Sequence, residues 1–211
     1  MKTKNILLIG GSGFLGGHVA RRLAAQGHRL TVPTRHRERA RHLIVLPTVE
    51  VVETDVHDDA CLAGLVAGQD AVINLVGILH SRYGLPYGPD FARAHVELPR
   101  RIAAACRAAG VRRVVHVSAL NADVNGPSQY LRSKGEGEAA LGAAGGALDL
   151  TIFRPSVIFG ADDSFLNLFA GLQRIFPLMP LGNTQARFQP VHVEDVAQAI
   201  VASLGRCDAY G

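Results

Sequence analysis

Gly10, Gly13 and Gly16 recur at three-residue spacing in NILLIGGSGFLGGHVARRLAAQGH (residues 5–28), where an apolar run ends and an amphipathic one begins. Glycine permits a tight turn and lets the backbone come close to a ligand, and the first turn of a helix offers N–H groups without partners. That combination suits a pyrophosphate, and Ser12 can donate one more hydrogen bond. A second spacing can move protons. Tyr130 and Lys134 lie four apart and share a face of any helix that carries them. A phenol with a pKa of about 10 is a poor base at neutral pH, and an ammonium beside it favours the phenolate. Y-x-x-x-K arises by chance on many helices, so its weight depends on where the fold puts it.

The elements around these residues alternate. Strand-like runs are NILLIG, RLTVPT, VEVVET, DAVINLVG, RRVVHVSAL and DLTIFRPSVIFG, several of them apolar almost without a break, as in strands covered on both faces. Helical spacing fills the gaps: Phe14 to Gln26, Arg37 to Leu46, Asp58 to Ala67, Asp90 to Ala109 and Tyr130 to Ala144. This rhythm predicts an α/β fold with a doubly wound parallel sheet, the Rossmann arrangement. After Gly160 it changes to a helix over SFLNLFAGLQRIF, an irregular stretch over PLMPLGNTQARFQP and a last helix over VEDVAQAIVASL. We expect a dinucleotide-binding domain over 1–160 and a small or truncated substrate lobe over 161–211.

Hydrophobic residues are 48% of the 211 and charged residues 19%, which suits a globular core. No apolar run reaches the ~20 residues of a membrane span, so no transmembrane segment is expected. Cys61, Cys106 and Cys207 are odd in number and far apart, which predicts neither a disulfide framework nor a metal site and fits a reducing, cytoplasmic setting. A net charge of +4 suits a phosphate-bearing ligand and is too small to call for nucleic acid.

A strand that selects NAD by its ribose hydroxyls usually ends in a carboxylate. The second strand here runs into VPTRHRER, with Thr34, Arg35 and Arg37 in that place. A guanidinium pairs with a 2′-phosphate, so NADP(H) is favoured and NAD(H) is the alternative. Arg39, Arg41 and His42 continue the run and read as a solvated helix start. Asp55 and Val56 close the third strand, with Asp58 the better cap for the helix that follows. Leu75, Val76 and Gly77 close the fourth, where small residues let the backbone line a dinucleotide.

GGSGFLG resembles the G-x-x-G-F-L-G turn of the extended and atypical short-chain dehydrogenase/reductases, and the likeness continues through YLRSK, FRPSVIFG and PVHVEDVA. The joint order of HVSALNAD, YLRSKGEGE and FRPSVIFGADDSFLN is most similar to the nucleotide-binding accessory subunit of respiratory complex I and its bacterial relatives. The resemblance implies that Phe14 and Leu15 join the glycines at the cofactor and that Asp55 and Val56 flank the adenine. It implies that Pro155, Ser156 and Val157 meet the carboxamide end, and that Lys134 holds the nicotinamide ribose. Tyr130 would then exchange a proton with a carbonyl or alcohol as hydride moves, and Ser118 would orient the substrate oxygen. His95 stands where many members carry a relay asparagine, and is expected to pack or hydrogen-bond locally. His192 and Asp195 are expected to dock the last helix. The twelve positions from Ser118 to Tyr130 make a shorter loop than in the sugar-nucleotide enzymes of the family. Three classes follow: an NADP(H)-dependent oxidoreductase, an accessory module with a structural nucleotide and a respiratory-chain partner at the inner membrane, and, least favoured, a sugar-nucleotide epimerase or dehydratase. The substrate of the first is an unidentified small molecule.

Overall fold

The computed structural model describes residues 3–161, 163, 189–206 and 209. Six parallel strands form one sheet: β1 (Asn5–Ile9), β2 (Arg29–Thr34), β3 (Val49–Glu53), β4 (Ala71–Asn74), β5 (Arg113–Val117) and β6 (Asp149–Phe153). Their order is β3-β2-β1-β4-β5-β6, so the chain reverses direction across the sheet between β1 and β4. Ligands of such sheets lie beyond the strands' carboxyl ends at that reversal.

Burial on both faces explains the unbroken apolar strands. Ile6 and Leu8 of β1 face one core, and Leu7 and Ile9 face the other. On the first side lies α1 (Phe14–Ala25), through Val19, Ala20 and Leu23. On the second lie α2 (Asp59–Val66), α3 (Leu98–Ala109) and α4 (Gln129–Gly142). Asp58 caps α2, its carboxylate accepting from Cys61 N at 2.8 Å, as the sequence suggests. Ser128 caps α4 by accepting from Leu131 N.

Three segments depart from the expected elements. The stretch Arg37–Leu43 is a 3₁₀ helix rather than an α-helix to Leu46. The helix expected over Asp90 to Ala109 is interrupted, with a turn at Pro89–Phe91 and a π-helical turn at Ala92–Glu97 before α3. DLTIFRPSVIFG is not one strand: β6 ends at Phe153, Pro155 cannot donate to a ladder, and β7 (Ile158–Phe159) pairs instead with β8 (Val191–His192).

The last helix, α5 (Val193–Ser203), lies beyond residue 160 in sequence, yet Val196, Ala197, Ile200 and Val201 complete the core that α1 faces. His192 is its N-cap, the ring accepting from Glu194 N at 3.3 Å. Glu194, rather than Asp195, ties it to α1. Its carboxylate bonds His18 Nδ1, and Arg22 Nε at 2.8 Å. The helix expected over residues 164–176, most of the irregular stretch after it, and Cys207 lie outside the described residues. Cys106 is buried, which pushes its thiol up to about 12 and leaves it unreactive, while Cys61 is exposed.

Candidate functional site

The glycine turn meets the end of β4. Gly10 has φ +82°, and a Cβ there would lie 3.0 Å from the carbonyl carbon of Leu75. A side chain is therefore excluded by conformation and by space. Gly16 serves packing, because a Cβ would meet Gly10 O and Gly11 at 2.5 Å. Gly13 is the N-cap of α1 and donates its N–H to Gly10 O at 3.1 Å. Phe14 turns away from the turn, edge-on to His18 at 5.5 Å and against Gly160, and Leu15 packs on the core.

A cleft of ≈ 350 Å³ opens at the carboxyl ends of β1 to β4, of a size that small-molecule sites use. Gly10, Ser12, Thr34, Arg35, Asp55, Val56 and Val76 line it. Arg37 does not. Its Nη1 donates to Val51 O at 3.2 Å, across the edge of β3. The arginines that reach the cleft are Arg35, Arg39 and Arg93. Arg93 is engaged, its Nη2 lying 3.0 Å from Asp55 Oδ2, while Asp55 Oδ1 accepts from His57 N. The guanidinium groups of Arg35 and Arg39 have no hydrogen-bond or ion-pair partner among the described residues. The sequence reading missed Arg39, Arg93 and His57. Arg39 was visible only as part of a basic run, and Arg93 arrives on the π-helical turn, which no periodicity announces.

Beside this cleft, a buried polar group gathers beneath β4 and β5. Asn74 ends β4, accepts from Val76 N at 3.1 Å and lies 3.1 Å from Nδ1 of the buried His116. Val76 is thereby turned into the cleft, and Leu75 N donates to Ile9 O. Lys134 is 2% exposed and donates to Val117 O at 2.9 Å. Burial brings its pKa down to about 8, against the pull of Glu138, so it remains largely an ammonium at neutral pH. A Cβ on Gly77 would lie 3.8 Å from Lys134 Nζ, which places the ammonium at the mouth of β4. Ser118 is buried, and its Oγ has no partner among the described residues. Tyr130 is half-buried, edge-on to the rings of Phe91 and His95. Burial raises its pKa. The expectation that Lys134 would draw the phenol towards its anion is therefore not met, because desolvation governs the group. Pro155 and Val157 use their carbonyls on Leu120 N and Val191 N, and none of Pro155, Ser156 and Val157 lines the cleft.

His95 joins the two regions. Its Nε2 accepts from the N–H of Ile78, a cleft residue, and its Nδ1 meets Ser133 Oγ, which in turn donates to Tyr130 O. Accepting at Nε2 leaves the proton on Nδ1, so the ring is neutral and fixed in one tautomer. Burial, then Lys134, lowers its pKa to about 3. The unfolded chain, with an ordinary imidazole near 6.5, binds this proton first as pH falls. The stability His95 contributes is whole above about pH 6.5 and is lost progressively towards pH 3, on the order of 5 kcal/mol in all. His116 acts in the same direction. Urea melts of the parent and of His95→Asn between about pH 7 and pH 4 should show a shallower decline in the variant. Identical slopes would contradict the assignment.

Among the described residues no cluster could hold a metal, and no helix is long and apolar enough to cross a membrane. A family model described as "NAD dependent epimerase/dehydratase family" matches residues 6–211. The chain is 36% identical over 210 residues to NADH dehydrogenase (ubiquinone) 1 alpha subcomplex subunit 9, mitochondrial, of Mus musculus, covering 97% of this chain and 54% of that one. It is 34% identical over 198 residues to a ceramide reductase of Caulobacter vibrioides, covering 93% and 60%. It thus spans a little over half the length of these curated relatives. The solved UDP-glucuronic acid 4-epimerase of Bacillus cereus, in complex with UDP-glucuronic acid and NAD, superposes with a TM-score of 0.82 at 18% identity, over 98% of this chain and 75% of that one, a likeness of fold.

Proposed function

The chain belongs to the NAD dependent epimerase/dehydratase family, and from that premise we propose that it binds NADP(H) and uses Tyr130 to protonate a carbonyl compound during its reduction. The observation that carries the reading is the pair of unpartnered guanidinium groups, Arg35 and Arg39, at a cleft whose β2 ends in Thr34 instead of a carboxylate. Arg39 takes the place that the sequence had given to Arg37. The donor set fits a dinucleotide: a turn whose Gly10 leaves no room for a side chain and free cations in the cleft, with the orphaned Ser118 hydroxyl just past the end of β5, outside the cleft's lining.

The glycine turn, Arg35 and Arg39 would hold the dinucleotide, which would supply the hydride when bound. Tyr130, kept protonated by burial, gives its phenolic proton to the carbonyl oxygen as that oxygen gains charge. Ser118 Oγ holds the same oxygen in place. Lys134, anchored on Val117 O and beside Gly77, holds the ribose and keeps positive charge near the phenolate that Tyr130 becomes. His95 fixes the helix turn carrying Tyr130 and has no lone pair left to relay a proton.

Titration calorimetry tests the cofactor. NADPH should bind more tightly than NADH, and Arg35→Ala should cost NADPH about tenfold or more while leaving NADH nearly unchanged, the usual loss for a charge-assisted hydrogen bond. Equal affinities in the parent protein would remove the preference and leave NAD(H).

The likeness to the complex I subunit favours a second reading, in which the nucleotide is structural and the chain binds a respiratory-chain partner. NADPH would then raise the melting temperature without any ketone consuming it. The ceramide reductase likeness favours catalysis.

A further inference from the structure

Seven large apolar side chains are exposed among the described residues, and five of them lie on two loops. Leu79, Tyr83 and Leu85 follow β4 and are 68%, 80% and 77% exposed, and Leu120 and Val124 follow β5. The first loop leaves Gly77 and meets the helix of Tyr130 at Gln129, and the second leaves Ser118 and runs directly into that helix. They are held firmly. Arg82 N donates to Asp90 Oδ2 at 2.9 Å and its Nη2 to Oδ1 at 3.0 Å, and Gly88 N donates to Gln129 Oε1 at 3.0 Å. Arg132, two residues past Tyr130, clasps both loops at once, donating to Pro86 O of the first at 2.9 Å and to Gly126 O of the second at 2.8 Å. The exposed side chains are thus displayed on fixed backbone and not on a loose tether.

We propose that these two loops form a rim for the hydrocarbon tail of the substrate, a ketone or aldehyde carried on a long alkyl chain. The inference rests on the Tyr130 reading, because both loops are tied to the residues on either side of Tyr130, the first through Gly88 to Gln129 and both through Arg132. The chemistry of the rim opposes a sugar nucleotide. A diphosphate needs cations, and Arg82 and Arg132 are committed to a carboxylate and to backbone carbonyls. Apolar side chains on a rigid frame instead gain from each methylene they remove from water, without first paying to order the loop.

Two probes separate the outcomes: butanone and 2-decanone, titrated by calorimetry against the protein with NADP⁺ present. Each added methylene should tighten binding by about twofold on an open rim, less than full burial would give, so 2-decanone should bind on the order of fiftyfold better. Leu79→Ser, Tyr83→Ser and Leu85→Ser combined should reduce that preference below about fivefold. The substituted side chains are exposed, and unchanged NADPH affinity in the variant shows that the fold is intact. Equal affinity for the two ketones, or a variant that keeps the full preference, overturns the proposal. Flotation with phosphatidylcholine vesicles free of ketone provides the third arm. Rim-dependent vesicle binding would assign the loops to a lipid surface and overturn the substrate tail. A chain-length preference that persists while Tyr130→Phe leaves turnover unchanged would sink the catalytic reading and leave the tail site standing.

Discussion

Tyr130→Phe is expected to bind NADPH as the parent protein does and to reduce a ketone at least about a hundredfold more slowly, the usual worth of a positioned general acid. The substitution removes one oxygen and keeps the ring, with its edge contacts to Phe91 and His95, so the helix should not shift. Lys134→Ala is a harsher change. It deletes the ammonium that anchors to Val117 O beside Gly77, and both dinucleotide affinity and turnover should fall. Single-turnover measurements with NADPH in excess separate the two effects. A Tyr130→Phe enzyme at full speed would mean that another group donates the proton, and the buried, unpartnered Ser118 hydroxyl would be the next to substitute.

Gly137→Ala is expected to cost about 3 kcal/mol or more of folding stability, at the upper end of what overpacking does. A Cβ at this position would stand 2.0 Å from His95 O, backbone against backbone, where no rotamer change gives relief. The helix would have to move away from the π-helical turn, taking both Tyr130 and Ser133 from His95. Gly142, in the last turn of the same helix, has nothing within 4 Å of the same added atom, so Gly142→Ala should be neutral or slightly stabilising. Urea denaturation of the two variants side by side checks the contrast. Equal stabilities would mean that the helix pair is not closely packed.

The alternation of elements and the glycine turn were legible because each follows from local chemistry. A strand covered on both faces must be apolar throughout, and Gly10 must adopt a backbone conformation other residues resist. The π-helical turn was not legible. Its extra residue breaks the 3.6 rhythm, carrying Arg93 into the cleft and His95 inward, and the sequence pattern between Asp90 and Ala109 reads as one helix. Arg37 and Arg39 differ for a similar reason: which of two neighbouring arginines faces the cleft depends on the pitch of the 3₁₀ segment and on a carbonyl of β3, Val51 O, fourteen residues away. The Asn74–His116 contact comes from the register of two strands, which pairs those positions directly. The burial of Lys134 and that of Tyr130, which keeps the phenol protonated, likewise depend on distant packing.

The tie between Glu194 and α1 has a consequence for how the chain is made. His18 and Arg22 meet a partner more than 170 residues downstream, and Ile6 and Val19 face a core that Val196 and Ile200 complete. On a ribosome the first helix and the glycine turn emerge early, but one apolar face of α1 stays uncovered until residues 193–204 have been synthesised. Contacts of such long sequence separation are slow to close. A half-made chain therefore presents a greasy helix for much of its synthesis, at the end beside a finished sheet, the kind of surface that chaperones bind and that aggregates in their absence.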